Sequence, residues 1–567
     1  MDLIKWFSIL TVIFIIGLAL SNVVYAAPAP IYVDDTASGS DNGNSWNNAY
    51  NDLQKALQRA NSNDQIWVAE GTYHPGINRS DSFEIVQGVE MYGGFPDGGG
   101  SFSERDWKLY ETELSCEIGQ SSTSDDNCYH VIDSSNGDGT TILDGFIITG
   151  GYADGAGANG HGGGIYNVNA VNGNGVFRNL KIINNYAIQG GAMKNTYSAP
   201  TLENVEIQTN TAVTGGGINN DLGRVSILSS MIMGNHADGN GGGMYNDAGH
   251  PIFKDTSIIG NGADYGGGLY NEDATTLEIE NSTIWGNAAL YSGGGIYSYA
   301  DFPTPITTTL SNVKILRNHA YNDNGGGLYL EGIDASIFNV EFFGNTAEYG
   351  GGGYFTATNS IVVNTVFSGN TADMNGGGLF VDQKSSNLFQ LLDSTMSTNL
   401  ASSGGGIYLN TTVGMFYVLN TVLWSNGADQ IYAHTGWISD SLIQGGCPSV
   451  GMICGELILV DPKFVRDPDP GGDWMWGTPD DDYGDLRLSL DSPGIDAGDN
   501  NLVAEDILDL DDDGNVTEKI PFDIEGNSRM IDIPLVVDTG DGGSPIVDIG
   551  AYETLIPHYL PIIFNID

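Results

Sequence analysis

Short runs of alternating apolar and polar residues recur along most of the chain. Examples are "NVEIQTN", "NSTIWGN" and "NTVFSGN", which begin at Asn204, Asn281 and Asn364. Alternation over four to six residues is the signal of a β-strand with one buried face. No helical period appears between about residues 140 and 445, so the pattern predicts a long series of short strands.

A three-residue motif, Asn-X-Ala, recurs at a nearly constant step. It begins at Asn185, Asn210, Asn235, Asn261, Asn287, Asn318, Asn345, Asn370, Asn399 and Asn426. Successive copies are 25 to 31 residues apart, and glycine-rich runs such as "GGGMYN" (241–246) follow the first nine. A fixed period of about 20 to 50 residues is typical of a solenoid whose units stack on one another.

A second polar column lies six residues before each triplet. Its members are Asn179, Asn204, Ser229, Asp255, Asn281, Asn312, Asn339, Asn364, Asp393 and Asn420. Asn at one turn position of successive coils can form a ladder of side-chain amides, and Asn also tolerates the left-handed backbone of a sharp corner. We therefore predict an all-β fold: a right-handed, single-stranded parallel β-helix of three short strands and three turns per coil. A small N-terminal helical cap and a C-terminal loop-rich β module complete the prediction.

The glycine runs fit a coil corner better than a phosphate site. A phosphate-binding loop needs a helix and a Lys-Ser/Thr pair after the glycines, whereas "IY", "LY" or "LF" follows most of these runs. At a corner, glycine is required where φ is positive or where two backbones approach closely. A remaining alternative is a shallow stripe floored by glycine that receives a flat partner.

The repeat itself resembles a known family. "GNTA…GGGIYN" with an upstream "F-x-x-N" (Phe342 to Asn345, Phe367 to Asn370) is similar to the repeats of chlamydial polymorphic outer-membrane proteins. The likeness covers about residues 160 to 430. It implies an exported, pectin-lyase-like right-handed β-helix that acts as a surface adhesin.

Both ends of the chain carry further resemblances. Residues 31–75 resemble the N-terminal entry of pectate-lyase-like β-helix proteins, with "LQKALQRA" (53–60) as a short helix capped by Asp52. At the other end, "DSPGIDAGDN" (491–500), "FDIEGNSRMID" (522–532) and "VDIGAYE" (547–553) resemble the choice-of-anchor Q module. That resemblance implies export and display on the cell surface, such as the outer membrane of a bacterium, and it implies no chemistry.

The first residues read as a secretory signal. Lys5 precedes a 15-residue apolar run that ends at Leu20, and "VYA" ends at Ala26. We predict a signal peptide (1–26), a cap with the first coils (27–155), the repeat β-helix (156–445) and the display module (446–567). Disulfides are the default in an exported chain. Proximity in sequence suggests Cys116–Cys128 and Cys447–Cys454, although four cysteines allow three connectivities.

The charge and hydrophobicity of the chain limit the classes of partner that it can bind. The formal charge is −52, from 71 acidic and 19 basic residues, which excludes nucleic acid because its binding needs a basic surface. The mature chain has no apolar run long enough to cross a bilayer. Divalent cations become plausible partners, because calcium prefers clustered oxygen ligands. The oligomeric state is open.

One acidic loop has the spacing of a calcium site. In "DLDDDGNVTE" (509–518), Asp509, Asp511, Asp513 and Asn515 stand at alternate positions around Gly514, as at the start of a D-x-D-x-D-G loop. The twelfth position is Ile520 instead of Glu, so an EF-hand is incomplete, and Glu518 or Asp523 is the substitute. The alternative is a solvated acidic loop, which is also our interpretation of Asp480 to Asp482.

No catalytic residue is assigned. Lys194 replaces the usual Tyr of "GGGIYN", and His236 and His319 occupy the middle of Asn-X-Ala; all three are expected to be exposed column positions. A 31-residue step contains a loop around Phe302, our candidate specificity element. We predict a non-catalytic adhesive protein that binds a cell-surface glycan or protein receptor. The alternative is a carbohydrate-active enzyme, a polysaccharide lyase or glycosidase.

Overall fold

The computed structural model describes residues 29–120, 123–168, 175–273, 276–300, 307–383, 387–410, 414–448 and 451–555. The predicted signal peptide, the loop around Phe302 and most of the C-terminal tail (556–567) lie outside the described residues.

Four parallel sheets run along the described part of the chain, and each successive strand of a sheet comes from the next coil. Sheet 1 contains Ile31–Val33, Gln65–Ala69, Glu90–Phe95, Ile142–Asp144, Val176–Arg178, Thr201–Glu203, Ser226–Leu228, Ile252–Lys254, Thr276–Glu280, Thr307–Ser311, Asp334–Phe338, Ser360–Val363, Leu388–Leu392, Met415–Leu419, Gly436–Ser439 and Met452–Cys454. Sheet 2 contains Gly71–Tyr73, Thr112–Ser115, Ile147–Thr149, Lys181–Ile183, Glu206–Gln208, Met231–Met233, Ser257–Ile259, Thr283–Trp285, Lys314–Leu316, Glu341–Phe343, Val366–Ser368, Thr395–Ser397, Val422–Trp424, Ser441–Ile443 and Leu457–Ile458.

The other two sheets complete each coil. Sheet 3 contains Tyr152–Ala153, Tyr186–Gln189, Thr211–Thr214, His236–Ala237, Gly262–Ala263, Ala288–Ala289, His319–Ala320, Thr346–Tyr349 and Thr371–Asn375. Sheet 4 contains Phe83–Glu84, Ile132–Asp133, Ile165–Val168, Met193–Thr196, Ile218–Asp221, Met244–Asp247, Leu269–Glu272, Ile296–Tyr299, Leu328–Glu331, Gly353–Thr356, Leu379–Asp382, Ile407–Leu409 and Ile431–Tyr432. This arrangement confirms the predicted parallel β-helix.

The predicted number of strands per coil was too small. The prediction had three strands, but sheet 3 adds a fourth in the central coils, formed by the residues that follow the Asn of the triplets from Asn185 to Asn370. These residues have extended backbone and pair with their equivalents in the next coil, as Ala187 does with Ala212. The Asn of the triplet therefore directly precedes a short strand.

The interior of the coils is apolar except for ladders of amides. In the three-residue strands of sheet 2, the middle side chain points inward, as Ile207, Ile232 and Ile258 show. Beside them, the Asn of every Asn-X-Ala triplet is buried. Asn345 accepts from the backbone and side-chain amides of Asn318, both at 3.0 Å, and its own amide donates to Asn370 at 2.9 Å. The predicted ladder of side-chain amides is therefore present, and it lies inside the coils.

The second polar column has the other role expected of Asn. All ten members, from Asn179 to Asn420, have φ between 47° and 55° and turn the chain from sheet 1 into sheet 2. The first glycine of each run has a similar role, since Gly376 has φ of 70°. At the next position, a Cβ on Gly377 would lie 2.5 Å from the carbonyl oxygen of Leu400 in the following coil. Both structural reasons for the glycine runs therefore apply.

The N-terminal cap follows the prediction. The α-helix spans Leu53–Arg59, and the side chain of Asp52 accepts from the backbone N–H of Gln54. Three 3-10 helices span Trp46–Asn48, Phe102–Glu104 and Gly157–Gly160. The disulfides are Cys116–Cys128 and Cys447–Cys454, the pairing that sequence proximity suggested.

The described helices are all short: the α-helix has 7 residues, and no helix in the described ranges could cross a membrane.

The chain after Ile458 packs along the side of the β-helix instead of extending it. It begins with an antiparallel pair, Phe464–Arg466 and Asp485–Leu488, and continues as irregular loops. Two apolar clusters join this C-terminal module to the coils, one around Val366, Val422 and Leu442, and the other around Phe338, Val363 and Leu392. The module therefore covers the corner between sheets 1 and 2 over several coils.

Polar contacts at the same corner use the second column. The amide of Asn364 donates to the Phe522 carbonyl at 2.6 Å. The buried carboxylate of Asp393 lies 3.4 Å from the equally buried guanidinium of Arg529. The column that turns the coils thus also binds the module.

We expect Asn345→Ala to lower the free energy of unfolding by about 3 kcal/mol or more, because the donors of Asn318 and the Ile315 carbonyl lose a buried partner. Asn312→Gly, in the second column, should cost less than about 1 kcal/mol. Glycine accepts the φ of 54° there, and the two side-chain bonds that are lost, to Asn281 and from Asn339, are both exposed to solvent. Urea unfolding of both variants measures the difference, and equal costs would contradict a structural role for the ladder.

Candidate functional site

A cleft of roughly 530 Å³ lies where the C-terminal module leans over sheet 3. Its floor is formed by the outward-facing side chains of His319, Thr346 and Thr371, which are in register in three successive coils. Its wall is the turn at 474–477. The volume is in the range of small-molecule sites, about 300 to 1,000 Å³.

Large apolar side chains are exposed at the rim of this cleft. Trp474 is 81% exposed, Met475 63% and Tyr321 62%. An exposed group of this kind, bordered by polar residues, is typical of an interaction site. Trp474 has φ of 61°, a backbone conformation that is uncommon for a bulky residue outside a constrained turn.

The turn is held in place by a stack of aromatic rings. Trp476 is buried and stacks on Tyr483, which stacks in turn on Phe343 of sheet 2. Both module rings lie over corner glycines. A Cβ on Gly369 would lie 2.5 Å from the Trp476 ring, and one on Gly344 would lie 2.1 Å from the Tyr483 hydroxyl. Gly344 and Gly369 directly precede triplet asparagines and lie outside the glycine runs, so the glycine-floored stripe suggested for those runs stays an alternative.

The acids at 480–482 also shape the turn. The carboxylate of Asp481 accepts from the backbone of Gly477 and Thr478, each at 2.8 Å, and from the Tyr483 hydroxyl at 2.9 Å. Asp482 forms an ion pair with Arg466 at 2.7 Å. The expectation of a merely solvated run was wrong, because these carboxylates serve as acceptors for the amides of a tight turn.

The polar groups of the cleft are few. Arg317, His319 and Asp373 line it. The ring of His319 contacts the Thr346 hydroxyl and packs edge-on against Tyr321, with centroids 4.0 Å apart. Burial lowers the pKa of His319, and the Asp373 carboxylate opposes that shift. His319 is thus half-buried, not fully exposed as expected, whereas His236 is exposed.

This arrangement suits binding better than hydrolysis. Aromatic faces pack against the C–H face of a sugar ring because the ring face is electron-rich, and the three polar side chains can bond hydroxyl groups. Glycosidases use two carboxyl groups at a set separation. Among the lining residues that the structure describes, Asp373 supplies the one carboxylate.

The predicted calcium loop brings its acids together. Carboxylate oxygens of Asp509, Asp511 and Asp513 lie within 4.8 Å of one another, and Asp511 forms a second such group with Asp506 and Glu518. Asp506 is buried, a position that the D-x-D-x-D-G spacing does not include.

The other residues predicted for the calcium site do not all lie beside the loop. The side-chain amide of Asn515 donates to Glu518 at 3.0 Å, while its side-chain oxygen accepts from Thr517. Asp523 lies elsewhere, accepting from Asn527 and from the backbone of Glu553. Of the two substitutes for the twelfth ligand, Glu518 is therefore the one beside the loop.

Lys194 is not an exposed column position. Only 5% of the residue is exposed; its ammonium donates to Asn219 at 2.6 Å and lies 3.6 Å from the Asp221 carboxylate. Burial lowers the pKa of Lys194, and Asp221 opposes the shift. The expectation failed because stacked strands lie only about 4.8 Å apart, so Tyr166 and Asn219, its neighbours in register, cover the side chain.

An acidic column continues from Asp221 along sheet 4. Asp247 and Glu272 follow it in register in the next two coils. Burial and the Asp221 charge raise the pKa of Asp247. Lys194 thus stands at one end of a row of carboxylates, the combination of cation and acids that would be needed for lyase or glycosidase chemistry.

Sequence reasoning missed the cleft for an identifiable reason. Its floor belongs to the repeat and its wall lies more than 100 residues further along the chain. The available signal was "DWMW" (473–476), where two Trp residues and one Met stand in a segment otherwise rich in Asp and Gly. The loop around Phe302, which the sequence favoured as specificity element, lies outside the described residues.

No protein-family model matches the sequence, and no curated protein is similar to it. Among solved structures, the crystal structure of pectate lyase Pel9A aligns with 94% of this chain and 97% of its own, at 11% sequence identity and a TM-score of 0.30. That likeness carries no argument about activity. The parallel β-helix is established by the sheets and registers described above.

Proposed function

We propose that this is an exported, surface-displayed β-helix protein that binds a neutral glycan through the cleft at Trp474 without cleaving it. The observation that carries the proposal is the pair of exposed rings, Trp474 from the C-terminal module and Tyr321 from the coils, that line one cleft with a polar floor. The signal-like N-terminus and the two disulfides support export. The resemblance to a choice-of-anchor module supports display.

The charge of the protein favours an uncharged ligand. At −52, the chain repels polyanionic sugars at long range. A neutral oligosaccharide loses nothing to this repulsion and can use the aromatic faces. A protein receptor on a cell surface is the other outcome of the binding test.

We expect Trp474→Ala and Tyr321→Ala each to weaken glycan binding about 2- to 10-fold, the contribution of one aromatic contact. Because both side chains are exposed, stability should change little. A glycan array identifies the ligand, and calorimetry with that ligand measures the affinities.

Trp437→Ala provides the matched control. Trp437 is 49% exposed on sheet 1, away from the cleft, so its removal should leave the affinity unchanged. Equal losses in all three variants, or no loss at the two cleft positions, would contradict the assignment of the cleft. Binding to cells but to no glycan would point to a protein receptor.

A second candidate function rests on Lys194. A buried lysine whose pKa is lowered by burial, and which lies beside a row of carboxylates, could act as a general base in a carbohydrate-active enzyme. In that case a glycan panel should release reducing or unsaturated products, Lys194→Met should abolish the release, and the rate should rise with pH as the ammonium loses its proton. Lys181→Met, at a half-buried cation of the same coil, is the control. No product from any glycan would eliminate this candidate.

We also propose that calcium binds the loop at Asp509, Asp511, Asp513 and Asn515. The supporting observation is the convergence of the three carboxylates, with Glu518 beside Asp511.

For this loop, Asp511→Asn should lower the melting temperature in calcium and leave it unchanged in EDTA. Asp512→Asn is the matched control, because Asp512 lies in the same loop but outside both acidic groups. A protein whose melting is the same in calcium and in EDTA, or two variants that behave alike, would contradict the loop as a calcium site.

A further inference from the structure

Two turns of the same sequence type lie side by side in the C-terminal module. "DAGD" (496–499) and "DTGD" (538–541) share the pattern Asp-X-Gly-Asp. The carbonyl of Asp496 accepts from the backbone of Thr539 and Gly540, and the backbone of Asp541 donates to the Gly498 carbonyl at 3.0 Å. The two turns therefore run in parallel, with their aspartates in equivalent positions.

The glycines make this close approach possible. A Cβ on Gly540 would lie 1.9 Å from the carbonyl oxygen of Gly498, and one on Gly498 would lie 2.8 Å from the side chain of Val547. No larger residue fits at Gly540 without separating the turns. The pairing of the turns is thus a built feature of the module.

The first aspartates of the two turns meet a third carboxylate. Asp496 and Asp538 each offer an oxygen within 4.8 Å of the other and of an oxygen of Asp532. Asp532 and Asp538 are exposed, whereas Asp496 is 0% exposed. The triad therefore joins a fully buried carboxylate to two that reach solvent.

Asp496 differs from the other buried acids of the module. Neither of its carboxylate oxygens accepts a hydrogen bond of normal geometry from a described residue, and the backbone of Ile533 gives it only a weak contact. In contrast, Asp548 accepts from the backbone of Asp496 and Thr554, each at 2.8 Å, and Glu553 accepts from the backbone of Ile531 at 2.9 Å. An unpaired buried carboxylate costs several kcal/mol unless something compensates it, and the charged groups that face it here are three further carboxylates, those of Asp532, Asp538 and Asp548.

We propose that Asp496, Asp532 and Asp538 bind a calcium ion that is distinct from any ion of the 509–515 loop. The ligands are all oxygens, which suits a hard cation, and no Cys or His belongs to the group. Oxygens up to 4.8 Å apart fit around one ion at calcium–oxygen distances of about 2.3 to 2.6 Å. Water supplies the remaining ligands on the exposed side.

The second aspartates of the two turns form a comparable group that lacks the decisive feature. Asp499, Asp541 and Asp440 also lie within 4.8 Å, but the Asp499 carboxylate already accepts from the backbone and side-chain amides of Asn501. None of these three residues is fully buried. We therefore propose no ion at this group, and it provides a matched control.

The experiment uses the full chain with Asp511→Asn as background, which removes the loop at 509–515 from the measurement. Calcium titrations by calorimetry, and terbium luminescence as a second probe, report the remaining site. Asp496→Asn should weaken calcium binding at least about tenfold, and Asp541→Asn should leave it unchanged. Equal losses in the two variants, or no saturable binding in the background protein, would overturn the proposal.

Melting temperatures measured in EDTA and in calcium distinguish a calcium ligand from a residue with a purely structural role. In EDTA, Asp496→Asn should melt at the same or a higher temperature than the background protein, because it removes an unpaired buried charge. In calcium, the order should reverse. If Asp496→Asn is less stable than the background protein in both conditions, or is not less stable in either, then calcium does not compensate the Asp496 charge. A buried water or local packing would then do so. If Asp496→Asn does not fold, Asp538→Asn, at the exposed side of the triad, tests the same loss of calcium affinity.

Discussion

The repeat coils from Asn185 to Asn426 are joined to one another by buried asparagines, whose side-chain oxygens accept two hydrogen bonds and whose amides donate onward, as at Asn345 and Asn370. A buried amide left without partners is costly, so the ladder allows one register between coils. Gln430 closes it at its end by bonding the last member, Asn426. The inward apolar residues, the corner glycines and the left-handed column all depend on that register being kept.

A second internal ladder reinforces the first one. Asn167, Asn195 and Asn220 donate along sheet 4, and the row ends where Asn271 donates to Ser298. The repeat positions mainly hold the coils together. Side chains that could bind or react therefore lie where a residue differs from the others in its column, or where the C-terminal module contacts the coils. Lys194 is the first kind of place, and the cleft at Trp474 is the second.

The sequence predicted the structural features that depend on residue type and on a fixed spacing along the chain. The triplet asparagines, the left-handed column and the Asp52 cap follow from residue type and spacing, and proximity in sequence favoured the two disulfide pairs that the structure contains. The burial of Lys194 depends on neighbours 28 and 25 residues away in the chain, and the cleft joins His319 to Trp474. The approach of the two Asp-X-Gly-Asp turns depends on how irregular loops fold back on one another, which no period encodes. The calcium-loop residues were placed together, but only the structure adds Asp506.

The lateral position of the C-terminal module has a mechanical consequence. It is fastened to successive coils through Tyr483 on Arg317, Phe522 on Asn364, Arg529 on Asp393 and Asp499 on Asn420. A pulling force applied at the C-terminal end would load these attachments together, in shear, instead of peeling off the last coil by itself. Rupture in shear requires many bonds to fail at once, so the rod would resist tension far better than a solenoid held by its final strand.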